Sequence, residues 1–251
     1  MQIIELHKET LRAFKSASKL TIKNEHERFK FSKGIFLKHN GLGIDFIACT
    51  PYYLLRTQIG KLKEPINLDA FIPQETLKKV GNSVLQKDPE MVELKVFDNG
   101  LKVGLKKLEG ESLQCWSGEP HPIFEDIDKQ FDTYRRWRTL EWENMDSFFN
   151  LFSKQENIIT KEKGKIRLYK WDLKISPACE DNREIKEAYV NIDYISNLAN
   201  FMRDVTKCNR LLIDFYFKDG IADKSIQAVK LRVGRENGPV LATAWLMTVR
   251  M

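Results

Sequence analysis

The chain has 251 residues, 42% of them apolar and 30% charged, with a formal net charge of +6. That is enough for one large domain or two smaller ones around a buried core, and the basic balance permits a polyanionic partner without requiring one. No apolar run reaches the roughly 18 residues of a membrane span, charge comes too early for a secretory signal, and the four cysteines (Cys49, Cys115, Cys179, Cys208) form no C-x-x-C pair. A cytoplasmic protein with reduced thiols is the expectation, with no membrane partner, zinc knuckle or redox pair.

Gln2 to Leu6 reads as a strand and His7 to Leu20 as a helix with Leu11, Ala13, Phe14 and Ala17 on its apolar side. Lys8, Arg12, Lys15 and Lys19 fall on one line opposite that side. Four cations in register repel one another, so the line is either a phosphate-contact face or a solvated one. Period-two alternation follows. Phe29 to Phe31 and Ile35 to Leu37 read as a hairpin, His39-Asn-Gly41 as a turn, and Gly43 to Thr50 and Tyr52 to Ile59 as strands separated by a bend at Pro51. Asn67 to Ile72 is expected as a strand and Pro73 at the start of a helix, Gln74 to Gln86. Leu77, Val80, Val84 and Leu85 face inward there, and Lys78, Lys79 and Asn82 outward. Strands follow over Met91 to Phe97, Leu101 to Leu108 and Ser112 to Trp116, the first two joined by Asp98-Asn-Gly100.

Glu119 to Arg138 breaks the pattern, with two prolines, the cations Arg135, Arg136 and Arg138, and anchoring aromatics Phe124, Phe131, Tyr134 and Trp137. It reads as a linker. Beyond it come a strand (Thr139 to Trp142) and a helix (Asn144 to Gln155) with Met145, Phe148, Phe149 and Phe152 inward and no clear basic face. Two or three strands are expected around Ile158, Lys165 to Trp171 and Leu173 to Ile175. Ala188 to Ile192 is a strand, Asp193 an N-cap, and the next stretch a helix ending near Cys208. Its apolar stripe is Ile195, Leu198, Ala199, Met202 and Val205; Ser196, Asn200, Arg203 and Lys207 lie opposite. Strands over Arg210 to Lys218, Ser225 to Val233 and Leu241 to Val249 close the chain.

The order strand, helix, three strands thus recurs four times. One such unit cannot bury its apolar surface alone, but two can share a core. The expected class is α+β: two similar domains (1–122 and 139–251) joined by a linker (123–138), helices on one face and antiparallel sheets on the other. Strand edges left over must be covered or paired, and a closed ring leaves none. No Gly-rich phosphate loop, G-x-S-x-G elbow or H-E-x-x-H motif occurs, and His7, His26, His39 and His121 are isolated. Neither catalysis, a metal nor a cofactor is expected.

Three stretches carry a resemblance: FIPQETLKKV (Phe71 to Val80), LATAWLMTVRM (Leu241 to Met251) and IDFIACTPYYLLRTQ (Ile44 to Gln58). Together with the fourfold order, they make the chain similar to DNA sliding clamps, the processivity factors of replicative polymerases. The resemblance implies a DNA-clamp fold in which helices line a six-domain ring around double-stranded DNA. A two-domain chain would reach six domains as a homotrimer. Two departures stand out: clamps are usually acidic, and the Thr-Asp-Gly-His-Arg turn of bacterial clamps is replaced by Thr50-Pro-Tyr-Tyr-Leu-Leu-Arg56.

On this resemblance Lys8, Arg12, Lys15, Lys19, Lys78, Lys79, Arg203 and Lys207 would face duplex phosphates. Leu246, Met247, Val249 and Met251, with Thr50, Tyr52 and Leu54, would form the groove that takes a polymerase or other clamp-binding peptide. A clamp loader is a further implied partner. The competing readings are a clamp-fold DNA-binding or adaptor protein that closes no ring, and an unrelated α+β scaffold.

Overall fold

The chain divides into two groups of elements, Met1–His121 with Asn200–Lys207 and Pro122–Ala199 with Cys208–Met251. The computed structural model describes residues 2–7, 16–21, 33–40, 43–61, 69–75, 77–78, 91–97, 100–105, 113–116, 131–161, 166–173, 187–218, 226–234 and 238–249.

In the first unit the strands are β1 (Gln2–His7), β2 (Gly34–Asn40), β3 (Gly43–Cys49), β4 (Tyr53–Lys61), β5 (Asp69–Pro73), β6 (Met91–Phe97), β7 (Gly100–Leu105) and β8 (Leu113–Trp116). They lie in the order β1-β6-β7-β8-β5-β2-β3-β4, each antiparallel to its neighbour. All of β3 is buried, Asp45 included, and the Asp45 carboxylate accepts from Arg56 Nε at 2.8 Å on β4. Gly34 packs where a Cβ would sit 2.3 Å from the Ile72 carbonyl oxygen, so no larger residue fits at that crossing. Pro73 ends β5 opposite Gly34, and the helical turn begins directly after it at Gln74, where the sequence places it; a strand end tolerates the missing N–H.

The second unit holds β9 (Tyr134–Trp142), helix α1 (Met145–Asn150), β10 (Ile158–Lys161), β11 (Ile166–Asp172), β12 (Glu187–Asn191), the first half of helix α2 (Ile192–Thr206), β13 (Leu211–Lys218), β14 (Ala228–Gly234) and β15 (Val240–Met247). The order β15-β14-β13-β9 makes one antiparallel sheet and β10-β11-β12 another. An aromatic core joins them. Trp171 on β11 meets Phe215 on β13 at 5.5 Å between centroids, Trp142 on β9 at 5.6 Å and Tyr169 at 4.9 Å. Phe148 packs edge-on against Trp142 at 5.4 Å. Asp214, on the opposite face of β13 from this core, is 1% exposed. It accepts from Arg232 through Nε at 2.6 Å and Nη2 at 2.8 Å, and from the Thr139 hydroxyl at 2.6 Å. That hydrogen bond holds the Arg232 guanidinium above its ordinary pKa, against the opposing effect of burial.

Three expectations change. β9 starts at Tyr134, not Thr139, so the arginine-rich end of the expected linker is a paired strand; a bulge between Phe215 and Tyr216 absorbs the irregular Tyr-Arg-Arg-Trp-Arg spacing. The Asn144–Gln155 helix is α-helical only over Met145–Asn150 and tightens into a 3-10 turn over Leu151–Ser153, capped by Asn144, whose Oδ1 accepts from Asp146 N at 2.8 Å. The cap of α2 is Asn191 rather than Asp193: its Oδ1 accepts from Asp193 N at 2.9 Å and Tyr194 N at 3.2 Å. Asp193 lies inside the first turn, bonded to Arg167 at 2.8 Å. A carboxylate favours that end of a helix whether or not it caps, so composition alone does not separate the two positions.

The fourth repeat is present as β12, α2, β13, β14 and β15. In the third, Leu173 is buried but not in a strand, and 174–186 lie outside the described residues. So do Phe29–Phe31, residues 8–15 of the first expected helix, the second helix beyond Lys78, Asp98-Asn99, and the turn 41–42 that follows the Asn40 end of β2.

Two stability outcomes follow. Asn191→Ala costs about 1 kcal/mol by losing the cap, whereas Asp193→Ala, which breaks a half-exposed ion pair, costs about 0.5 kcal/mol; urea midpoints at constant m-value separate them. Asp214→Ala, which strands a largely buried guanidinium, costs about 3–5 kcal/mol, and the same titration reads it.

Candidate nucleic-acid interface

Helix α2 seats itself by one face. Ile195, Leu198, Ala199 and Met202 have no exposed surface, Val205 is half-buried, and Phe201, which the stripe did not include, is 1% exposed. Phe201 meets Phe46 of β3 at 5.1 Å between ring centroids, within the first unit. Across the helix, Ser196, Asn200 and Arg203 are partly exposed and Lys207 is exposed. Arg203 Nη2 donates to Asn200 Oδ1 at 2.9 Å, one turn back, which holds the guanidinium along the helix. Lys207 has φ 57 and donates its N–H to the Arg203 carbonyl at 2.9 Å, closing the helix in the left-handed conformation usually reserved for glycine. Two cations therefore stand at the negative end of the helix dipole, where they are stabilised.

The first unit draws two more helical segments to that end of α2. Ser16 donates to Asp204 Oδ2 at 2.7 Å, Gln74 Nε2 donates to the Ser18 carbonyl at 3.1 Å, and the Tyr53 hydroxyl donates to the Leu20 carbonyl. Ala17, Leu20 and Leu77 are buried, and Lys19 and Lys78 are exposed beside them. Of the eight candidate cations, Lys19, Lys78, Arg203 and Lys207 are placed, all in the first unit; Lys8, Arg12, Lys15 and Lys79 lie outside the described residues. Asp204 was missed. Its position next to Arg203 on the helix was visible, but its tie to Ser16 spans 188 residues and no local pattern carries it.

The groove candidates divide. Thr50 is 6% exposed, and its Oγ1 accepts from Tyr52 N at 3.2 Å and Tyr53 N at 3.1 Å; it holds the β3–β4 turn together. The turn leaves Tyr52 48% exposed and Leu54 half-buried. Leu246 has no exposed surface and belongs to the core face of β15. Met247 and Val249 are partly exposed, and Val249 N donates to the Tyr189 carbonyl at 2.8 Å, which fixes the chain beyond β15 alongside β12. Met251 lies outside the described residues. Among those described, no cluster of His, Cys, Asp or Glu could hold a metal ion, and no helix is long and apolar enough to cross a membrane.

No protein-family model matches the sequence, and no curated protein matches it. Solved structures do. The chain aligns over its whole length with the DNA polymerase III subunit beta of Pseudomonas aeruginosa, at a TM-score of 0.65 and 12% identity, covering 67% of that chain. It aligns over 99% of its length with the beta subunit of Thermotoga maritima (TM-score 0.61, 12% identity, 65% of that chain). The sliding clamp of Bartonella birtlesii bound to griselimycin matches over 99% as well (TM-score 0.60, 12% identity, 66% of that chain). The chain has the sliding-clamp fold, and it spans about two thirds of the length of these clamps.

Proposed function

We propose that the chain is a DNA sliding clamp: a scaffold without catalytic chemistry that encircles duplex DNA and tethers a replicative polymerase or another DNA-processing partner in the cytoplasm. The observation that carries this reading is the chain-long likeness in fold to bacterial polymerase beta subunits, at a TM-score of up to 0.65. The surface chemistry supports it. Lys19, Lys78, Arg203 and Lys207 are cations on helical segments whose apolar sides are buried, which keeps them on the solvent side where phosphates would meet them. Contacts of this kind carry no sequence information and weaken with salt, as a protein that slides requires. Three copies of a two-unit chain would supply the six domains of a ring, with a loader to open it. Among the groove candidates of β15 and the residues just beyond it, Met247 and Val249 retain exposed surface for a partner peptide, while Leu246 belongs to the core.

Asp204 refines the picture. An acid among the cations lowers the local positive potential, and its bond to Ser16 keeps it there.

The decisive experiment compares retention on nicked circular DNA with retention on the same DNA linearised. A clamp stays on the circle and runs off the ends, stimulates primer extension on long templates, and has the mass of a trimer by light scattering. A strict monomer that binds both DNAs equally overturns the ring in favour of an open adaptor. Replacing Lys19, Lys78, Arg203 and Lys207 together with Ala should weaken duplex binding and reduce the slope of log K against log salt by about 0.9 for each lost phosphate contact. Asp204→Asn should strengthen duplex binding several-fold at low salt; a weaker or unchanged affinity, read by anisotropy, would place this helix end away from the DNA.

A further inference from the structure

The face of the β15-β14-β13-β9 sheet opposite the aromatic core carries rings and cations in alternation. On β9, Tyr134 stands directly opposite Lys218 of β13, and Arg136 directly opposite Tyr216. Ring faces cation at one register and cation faces ring at the next. Directly opposed residues on antiparallel strands have Cβ atoms about 5 Å apart, so each ring has a cation as its immediate neighbour. Arg136 and Lys218 are exposed, and Tyr134 and Tyr216 are partly exposed.

The pattern continues across the sheet. Tyr216 meets Trp245 of β15 at 4.7 Å between centroids, and Phe131 lies flat on Trp245 at 4.0 Å with an interplanar angle of 6°. Phe131 in turn meets Tyr134 at 5.4 Å, which closes a chain of four rings. Lys230 of β14 stands 4.7 Å from the Trp245 ring centroid. Trp245 itself is 7% exposed, so it serves as the base on which Phe131 is seated, while Phe131 keeps exposed surface. Among the described strand residues on this face, Asp214 is buried under Arg232 and Glu141 is bonded to Arg210. Burial and Asp214 raise the Tyr216 phenol above its ordinary pKa.

The geometry points to this face as a binding surface for single-stranded nucleic acid. Cations alone would suit any polyanion. Rings set between them suit one whose bases are unstacked, because a base can lie on a ring while its phosphate meets the neighbouring cation. Duplex DNA hides its base faces and can use only the cations. A run of Asp and Glu likewise offers the rings no aromatic face. This surface is distinct from the helical cations of the proposed duplex interface and does not rest on that reading.

Anisotropy with a labelled oligo(dT) and the full chain tests it. Arg136→Ala with Lys218→Ala should weaken binding by about tenfold and flatten the salt slope by about 0.7 for each lost phosphate contact. Tyr134→Leu, which keeps apolar bulk but loses the ring, should weaken binding by roughly 5- to 100-fold with the salt slope unchanged. Replacing Lys19 and Lys78 with Ala should weaken oligo(dT) binding less than Arg136→Ala with Lys218→Ala does, which separates failure of this surface from failure of the duplex interface. Matched melting curves establish that the variants are folded. The proposal is overturned if oligo(dT) does not bind, if polyphosphate or polyglutamate binds as tightly as oligo(dT), or if the Lys19 and Lys78 variant loses oligo(dT) affinity while Arg136 and Lys218 variants keep it.

Discussion

The structure depends on one-sided burial of helices. In α2 the side chains of Ile195, Leu198, Ala199 and Met202 are wholly removed from water, at about 25 cal/mol for each Å² of apolar surface. That burial leaves Arg203 and Lys207 on the other side of the helix with nowhere to go but outward. The same logic holds for the short helical pieces at Ala17 and Leu20 and at Leu77, whose buried residues bring Lys19 and Lys78 to the surface. A cationic surface here is a consequence of where the apolar residues had to be, not an independent feature.

Polar groups inside the sheets act on register rather than on net stability. Asp45 with Arg56 and Asp214 with Arg232 each place a carboxylate out of water on one strand and its guanidinium on the next. Such pairs repay little beyond their desolvation, but an unpaired carboxylate in either place is strongly unfavourable. A slip of one residue would turn Asp214 into the aromatic core beside Phe215 and Trp171 and take it away from Arg232. The pairs therefore select against wrong registers in strands whose runs of apolar residues, such as those of β3, discriminate poorly by themselves.

Two surfaces of different chemistry result. The helical segments of the first unit present Lys19, Lys78, Arg203 and Lys207, the cations of the proposed duplex interface. The solvent face of β9 and β13 offers cations and rings together. The bulge between Phe215 and Tyr216 is what makes the second possible: it keeps Arg136 opposite Tyr216 while Thr139 reaches Asp214, so the arginine-rich start of β9 is held in the sheet.

Much was readable from local pattern. Apolar runs bounded by turn residues located β6 at Met91–Phe97 without error and β3 and β13 to within a residue, because such a run has the length and the punctuation of a strand. The helical stripe of α2 and the outward position of Arg203 and Lys207 were equally local. What only the tertiary structure decided depends on partners far away in sequence. Asn191 caps α2 because β12 delivers it at the right angle, Tyr134 to Arg138 form a strand because β13 is beside them, and Asp204 turns to Ser16 because two helical segments meet. Thr50 and Leu246, both plausible on a surface by spacing, are buried for the same reason. Alternation shows that a strand has two faces, but neighbours brought in from elsewhere along the chain settle which face water reaches.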